Sequence, residues 1–222
     1  MRRFTANATH LAATLAVTAA AVLTAFAMPM PAHAVTINLW GGDAHTITGS
    51  GKEVAVMRQV GAFSVLRLDS SVDVQAHQGA APSVSVHADD NIEPLIETIV
   101  EGDTLIVRLK KGTGFSTHHN VVVDVVFTSL TAAHQHGSGD LHIDKLSGPK
   151  FESSIAGSGD LQIDSAQLGS FALSIAGSGD AHVNATEAIE ARVAGSGDVT
   201  YSGHPHDVSR RVSGSGTVEA AN

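Results

Sequence analysis

The sequence predicts an all-β chain: a single parallel, right-handed β-solenoid with about 18–20 residues per coil in its C-terminal half. Three observations carry this reading. A tetrapeptide, Gly-Ser-Gly-Asp, recurs at Gly137–Asp140, Gly157–Asp160, Gly177–Asp180 and Gly195–Asp198, and a fifth copy, Gly214–Thr217, ends in threonine. Steps of 20, 20, 18 and 19 residues separate the copies, a period at which each repeat buries its apolar face on its neighbours. The apolar residues keep register with the glycines. Leu141, Leu161, Ala181, Val199 and Val218 follow the motif, and Ile143, Ile163, Val183, Tyr201 and Ala220 stand two positions on. Phe151, Phe171, Ile189 and Val208, then Ile155, Ile175, Val193 and Val212, lead into the next copy. The period of two on both sides predicts two strands per coil.

Residues 1–34 read as a signal peptide. Arg2 and Arg3 precede the apolar run Leu11–Ala27, and Ala32-His33-Ala34 supplies a small-x-small cleavage site. Removing them takes away both arginines and no acid, leaving 188 residues with 11 basic against 22 acidic side chains, a formal charge of −11. Such a surface repels nucleic acid, and no later run is long and apolar enough to span a membrane. The chain has no cysteine, so stability rests on stacking rather than on disulfides.

Residues 35–52 read as an opening segment or cap over the first coil, with Trp40 as a capping side chain. Residues 53–136 read as irregular coils that continue the same sheets with longer corners. Val54 and Val56, then Phe63, Val65 and Arg67, then Val72, Val74 and Ala76, then Val84 and Val86 alternate. In 92–100, Pro94 and the β-branched Ile96, Thr98, Ile99 and Val100 favour extended chain over helix. Val121–Phe127 is the most apolar strand and reads as buried on both faces. Residues 137–222 are the regular coils, with 145–150 and 203–207 as corner loops opposite the motif. The last coil leaves an open edge suited to self-association.

The residues singled out are those of the repeated corner: Gly137, Gly139, Asp140, Gly157, Gly159, Asp160, Gly177, Gly179, Asp180, Gly195, Gly197, Asp198, Gly214 and Gly216. Glycine permits positive φ where a strand bends sharply, and serine and aspartate bond nearby amides. Valine at Gly157 or Gly177 should therefore destabilise by more than about 1 kcal/mol. The rival reading is a row of aspartates that collects calcium, but the motif lacks the Gly-Gly-x-Gly-x-Asp pattern of calcium-binding repeats.

No catalytic, cofactor or metal site is expected. His118-His119, His134-x-His136 and His204-x-His206-Asp207 are the tempting ligand clusters, yet no HExxH motif or cysteine completes a zinc site. Asp144, Asp164 and Asn184 repeat seven residues after the first motif glycine, which marks a solvated outer row rather than a pocket of unlike groups. Arg192, Arg210 and Arg211 sit among strand positions without an obvious partner acid. No Gly-x-Ser-x-Gly elbow is present.

The recurring Gly-Ser-Gly-Asp turns, with the upstream run FSVLRLDSSVDVQAHQG (63–79), SVSVHADDNI and GDTLIVRL, resemble the bacterial head GIN domain family of auto-transporter adhesins. The resemblance covers residues 46–222. It implies a β-solenoid similar in architecture to pectin-lyase-like proteins, no catalytic site, and a role in cell adhesion. The expected function is that of an exported, non-enzymatic protein in adhesion or binding at the cell surface or envelope. The alternatives are a carbohydrate-active enzyme and a purely structural envelope component. A polysaccharide or a surface protein is the expected partner. Periplasm, outer surface and medium are the compartments left open.

Overall fold

The computed structural model describes residues 45–184 and 187–221. Residues 1–34, read above as a signal peptide, Trp40 and most of the expected opening segment lie outside the described residues. Nine strands precede the repeats: β1 (His45–Thr48), β2 (Glu53–Arg58), β3 (Val65–Asp69), β4 (Asp73–Gln78), β5 (Ser83–Asp89), β6 (Ile96–Glu101), β7 (Thr104–Leu109), β8 (Thr113–Ser116) and β9 (Val122–Phe127). Eight carry them: β10 (Ala132–Gly137), β11 (Leu141–Gly157), β12 (Leu161–Gly177), β13 (Ala181–Asn184), β14 (Ala188–Gly195), β15 (Val199–Ser202), β16 (Asp207–Gly214) and β17 (Val218–Ala220). Fifteen strands form one curled sheet, and β1 and β8 pair separately. The fold is all-β.

In the second half every pairing is parallel and one repeat in register. Gly137, Gly157, Gly177, Gly195 and Gly214 lie opposite one another through β10, β11, β12, β14 and β16. Leu141, Leu161, Ala181, Val199 and Val218 do the same through β11, β12, β13, β15 and β17. Like therefore stacks on like. The rings of Phe151 and Phe171 lie 5.7 Å apart and nearly parallel, in a core that continues through Ile155, Ile175, Leu161 and Ile163.

The repeat has one inward face more than the two-strand expectation. Residues 145–150 are not a corner loop: Lys145 through Gly148 and then Lys150 pair with Ser165 through Leu168 and Ser170, and Leu146, Ala166 and Leu168 are buried. The chain bends where two neighbours in sequence are both exposed, at Asp144–Lys145 and Asp164–Ser165. A single residue out of phase lets the period of two resume on a new face. Residues 203–206 do form a loop, and Asp207 opens β16.

The first half departs further from expectation. β3 lies parallel between β7 and β10, and β4 lies parallel between β9 and β11. Residues 65–78 thus form a layer onto which the chain later stacks 104–127 on one side and the repeats on the other. Antiparallel strands are added: β2 on β5, β5 on β9, and β6 on β7. Antiparallel pairings, one of them the β6–β7 hairpin and two of them between strands far apart in sequence, account for the loss of the period, not longer parallel corners. The inward residues of β3 are Leu66 and Leu68, one out of phase with the Phe63, Val65, Arg67 alternation; Arg67 faces solvent. Pro94 sits in a single 3₁₀ turn, Glu93–Leu95, before the extended β6. β9 buries Val123, Val125 and Phe127 fully on one face and leaves Val122, Asp124 and Val126 half-buried on the other.

Candidate functional site: an aspartate ladder and the polar face beside it

The first motif glycine of each copy has positive φ, from +132° at Gly137 to +147° at Gly177. Its carbonyl points along the stack and accepts from the amide of the next copy's serine: the Ser158 N–H donates to Gly137 O at 3.0 Å, Ser178 to Gly157 O at 2.9 Å, Ser196 to Gly177 O at 2.9 Å and Ser215 to Gly195 O at 2.9 Å. A Cβ at Gly157, Gly177, Gly195 or Gly214 would meet that same oxygen at 2.0–2.1 Å. The second glycines, Gly159, Gly179, Gly197 and Gly216, have ordinary φ but equally little room, with the carbonyl of the glycine before at 2.1–2.2 Å from a Cβ.

The aspartates bond each other's backbones. The Asp160 amide donates to Asp140 Oδ1 at 2.9 Å, Asp180 to Asp160 at 2.8 Å, Asp198 to Asp180 at 2.7 Å, and Thr217 to Asp198 at 2.7 Å. The Thr217 hydroxyl adds a bond to Asp198 Oδ1 at 2.9 Å. The ladder begins one layer before the repeats, where the Asp140 amide donates to Asp73 Oδ1 at 3.1 Å. Gly137 stacks on Ser70 and Gly139 on Val72, so Ser70-Ser71-Val72-Asp73 is an unrecognised copy of the motif. Its Ser-x-Asp is the signal in the sequence; its two missing glycines hide it.

Adjacent carboxylates at the ~4.8 Å strand spacing repel by about 0.9 kcal/mol in water. A hydrogen bond from an amide to a carboxylate contributes about 1.5–3 kcal/mol, so the ladder is net favourable without an ion. Among the described residues no three His, Asp or Glu side chains come together as ligands for one metal ion.

Two more columns run beside the aspartates. Gln75, His142, Gln162, His182 and Thr200 form one. His77, Asp144, Asp164, Asn184 and Ser202 form the other, so Asp144, Asp164 and Asn184 do lie in one outer row. Histidine and carboxylate bridge successive layers: His77 Nδ1 to Asp144 Oδ2 at 2.9 Å, and His142 Nε2 to Asp164 Oδ2 at 2.8 Å, with Gln162 donating to Asp164 Oδ1 at 2.8 Å. The Gln162 and His142 contacts hold the Asp164 carboxyl below its ordinary value. Asp73, Asp140, Asp160, Gln75, His142 and Gln162 line an open groove of about 300 Å³. Among the described residues, the polar side chains lining this groove are acids, amides and imidazoles, with no lysine or arginine.

The other tempting histidines are dispersed. His134 bonds Ser154 Oγ at 2.7 Å and His136 bonds Asp69 at 3.1 Å, while His204 and His206 stand in the 203–206 loop. Arg192 does have a partner acid, Glu190, on its own strand, and Arg210 Nη1 donates to Val218 O at 3.2 Å. Gln135 takes the place of an aliphatic rung, 2 % exposed, and its Nε2 donates to Asp160 O at 2.9 Å.

One buried carboxylate stands apart. Asp89 is 1 % exposed and accepts from Thr117 Oγ1 at 2.6 Å on Oδ2, while Oδ1 meets His119 Nδ1 at 2.8 Å. Gly49 lies against it so closely that a Cβ would meet Asp89 Oδ2 at 1.9 Å. Around it Asn91 bonds the Ser50 amide and Thr48 O, and Asp90 bonds Ser50 Oγ and pairs with Lys52 at 3.3 Å. Asp89-Asp90-Asn91 therefore clasps segment 45–52. The Thr117 and then the His119 hydrogen bond hold the Asp89 carboxyl below its ordinary 3.8. The Asp89 hydrogen bond, with Glu53 nearby, raises His119 above 6.5. A lowered carboxyl contributes fully above 3.8 and loses its contribution as pH falls through its lowered value. A raised imidazole contributes fully below 6.5 and loses its contribution as pH rises through its raised value. Segment 45–52 is thus expected to be held tightest between those limits. Protection of the Gly51 amide, taken relative to its intrinsic exchange rate at each pH, should be greatest between those limits, and His119→Asn should flatten the alkaline limb only. An unchanged alkaline limb in that variant would show that His119 does not hold the segment.

Among the described residues no helix is long and apolar enough to cross a membrane. A family described as "Putative auto-transporter adhesin, head GIN domain" matches residues 62–171 and 154–205, together well over half of the chain. No curated protein matches. Among the crystal structures that match are two that share the fold. One, from Bacteroides fragilis NCTC 9343 and described as a "putative adhesin", is 21% identical with a TM-score of 0.53, over 79% of this chain and 100% of that one. The other, from Parabacteroides distasonis ATCC 8503 and described as a "putative lipid binding protein", is 20% identical with a TM-score of 0.53, over 80% of this chain and 100% of that one. At such identities the likeness speaks for the fold alone. With four of the five motif copies and strands β3 to β15 inside the matched span, the chain belongs to the head GIN domain family.

Proposed function

We propose that the protein is an exported, non-enzymatic β-solenoid that binds ligands at the cell surface or envelope, in keeping with its adhesin family. In this reading residues 1–34 are a signal peptide, 35–52 open the body as a cap, 53–222 form the solenoid, and the Gly-Ser-Gly-Asp copies are its structural corners. One observation carries the proposal: in-register repetition lays Asp, His, Gln and Asn side chains in straight columns over at least four successive layers. Polar columns repeated from layer to layer present many weak, similar contacts to an extended partner. They do not set an acid, a base and an electrophile in one water-excluding pocket, as catalysis requires. A polysaccharide or a surface protein is the partner such a face suits. The periplasm, the outer surface and the medium all fit an exported chain.

The test incubates purified protein with acidic and neutral polysaccharides, with and without calcium, and follows both co-elution and polymer length by size-exclusion chromatography. Co-elution with intact polymer is expected. Shortened polymer would replace the binding reading with an enzymatic one, and absence of co-elution with any polymer would remove glycans as the partner class.

A further inference from the structure

The acids gather on the ladder face; on the strands at the other end of the sheet, cations face outward instead. Antiparallel pairing of β6 and β7 sets Glu97 opposite Arg108, and parallel pairing of β7 and β3 sets Arg108 beside Asp69. Arg108 Nε donates to Glu97 Oε2 at 2.9 Å, and Arg67 grips Asp69 with Nε at 2.9 Å and Nη2 at 2.5 Å. His136 also bonds Asp69. In both pairs the cation is the more exposed member: 45% for Arg67 against 21% for Asp69, and 40% for Arg108 against 28% for Glu97. Lys111 stands at the end of β7 in the exposed turn, without an ion-pair partner. Arg67, Asp69, Glu97, Arg108, Lys111 and the half-buried Leu109 line one open groove of about 540 Å³.

We infer that this groove binds a single carboxylate borne by an acidic sugar of an otherwise neutral glycan, an inference that rests on the binding function proposed above. Both groove acids are already held by arginines, so the surface offered to a ligand is cationic. The guanidinium N–H groups not used by Asp69 and Glu97, with the Lys111 ammonium, fit a carboxylate, and Leu109 supplies an apolar floor for one face of a pyranose ring. The net charge of −9 repels a polyanion at long range, so the ligand carries one charge at the groove rather than a run of them. Leu109 is the only apolar lining residue, too little to receive acyl chains, which sets the groove apart from a lipid site.

The test measures binding of 3′-sialyllactose and lactose to the purified protein by saturation-transfer NMR and calorimetry. Sialyllactose is expected to bind and lactose not. Lys111→Ala and Arg108→Gln should each weaken binding by about fivefold or more. Lys150→Ala, which changes net charge equally at a distant exposed position, should leave binding unchanged. Lys111→Ala touches no partner and keeps the test valid if Arg108→Gln disturbs the sheet. Equal binding of the two sugars, no binding of either, or full binding by Lys111→Ala would overturn the inference. So would capture on phosphatidylglycerol vesicles that Lys111→Ala abolishes, since it would assign the groove to a lipid surface. Because the polysaccharide panel includes neutral polymers, the groove can fail while the general binding function stands, and the panel can fail by itself.

Discussion

Replacing Gly177 by alanine is expected to cost at least about 3 kcal/mol of stability. Two effects act at once. The backbone at φ +147° suits glycine alone among the L residues. The new Cβ would also lie 2.0 Å from Gly157 O, the atom that accepts the Ser178 amide. Relief requires the two layers to separate, and separation breaks the hydrogen bonds that stack them. Gly157→Ala should behave alike, since its Cβ would meet Gly137 O at 2.1 Å. Gly148→Ala is the control: it lies in β11 with Gly157, one layer from Gly177, has no left-handed φ, and its Cβ would meet nothing within 4 Å. Thermal unfolding followed by circular dichroism should place the Gly177 variant about 6–12 °C below the control. Equal midpoints would mean that the stack yields at no cost and that the close approach is not what selects glycine.

Asp160→Ala is expected to cost about 1–2 kcal/mol, and Asp160→Asn much less. Alanine leaves the Asp180 amide without the acceptor that Oδ1 provides at 2.8 Å. Asparagine keeps an oxygen in that place and removes one charge from between Asp140 and Asp180, so the weaker hydrogen bond is offset by relief of repulsion. Urea unfolding of the three proteins separates the terms. If alanine and asparagine are equally destabilising, the carboxylate charge and not the amide bond holds the ladder. If added calcium stabilises the parent but not the asparagine variant, an ion contributes where hydrogen bonds alone are expected to suffice.

The layered half of the fold was legible because its contacts are short-period. A residue and its neighbour in the next layer are 18 to 20 positions apart, so both leave their mark in a self-comparison of the chain. Phe151 over Phe171 and Ile155 over Ile175 could be paired from spacing alone. The third inward face was not legible. Leu146, Ala166 and Leu168 are small or isolated among Lys, Ser, Gly and Pro, and a period of two that changes phase at an exposed bend looks like a loop. Ser70–Asp73 escaped for another reason: its partner Asp140 lies 67 residues away, beyond an insertion, and it shares only serine and aspartate with the motif.

By itself the sequence determined the composition of the faces: which residues recur, at what step, and therefore which columns are aliphatic, which glycine and which aspartate. Repetition makes that a local property, since each layer is a copy of the last. Only the tertiary structure decided what closes the first half and where the cations meet. The antiparallel pairing of β5 with β2 and β9, the burial of Asp89 against Gly49, and the convergence of Arg67, Arg108 and Lys111 join segments with no common period. Pairings of that kind arise from hydrogen-bonding edges and buried surface available after the layers have formed, and no spacing along the chain encodes them.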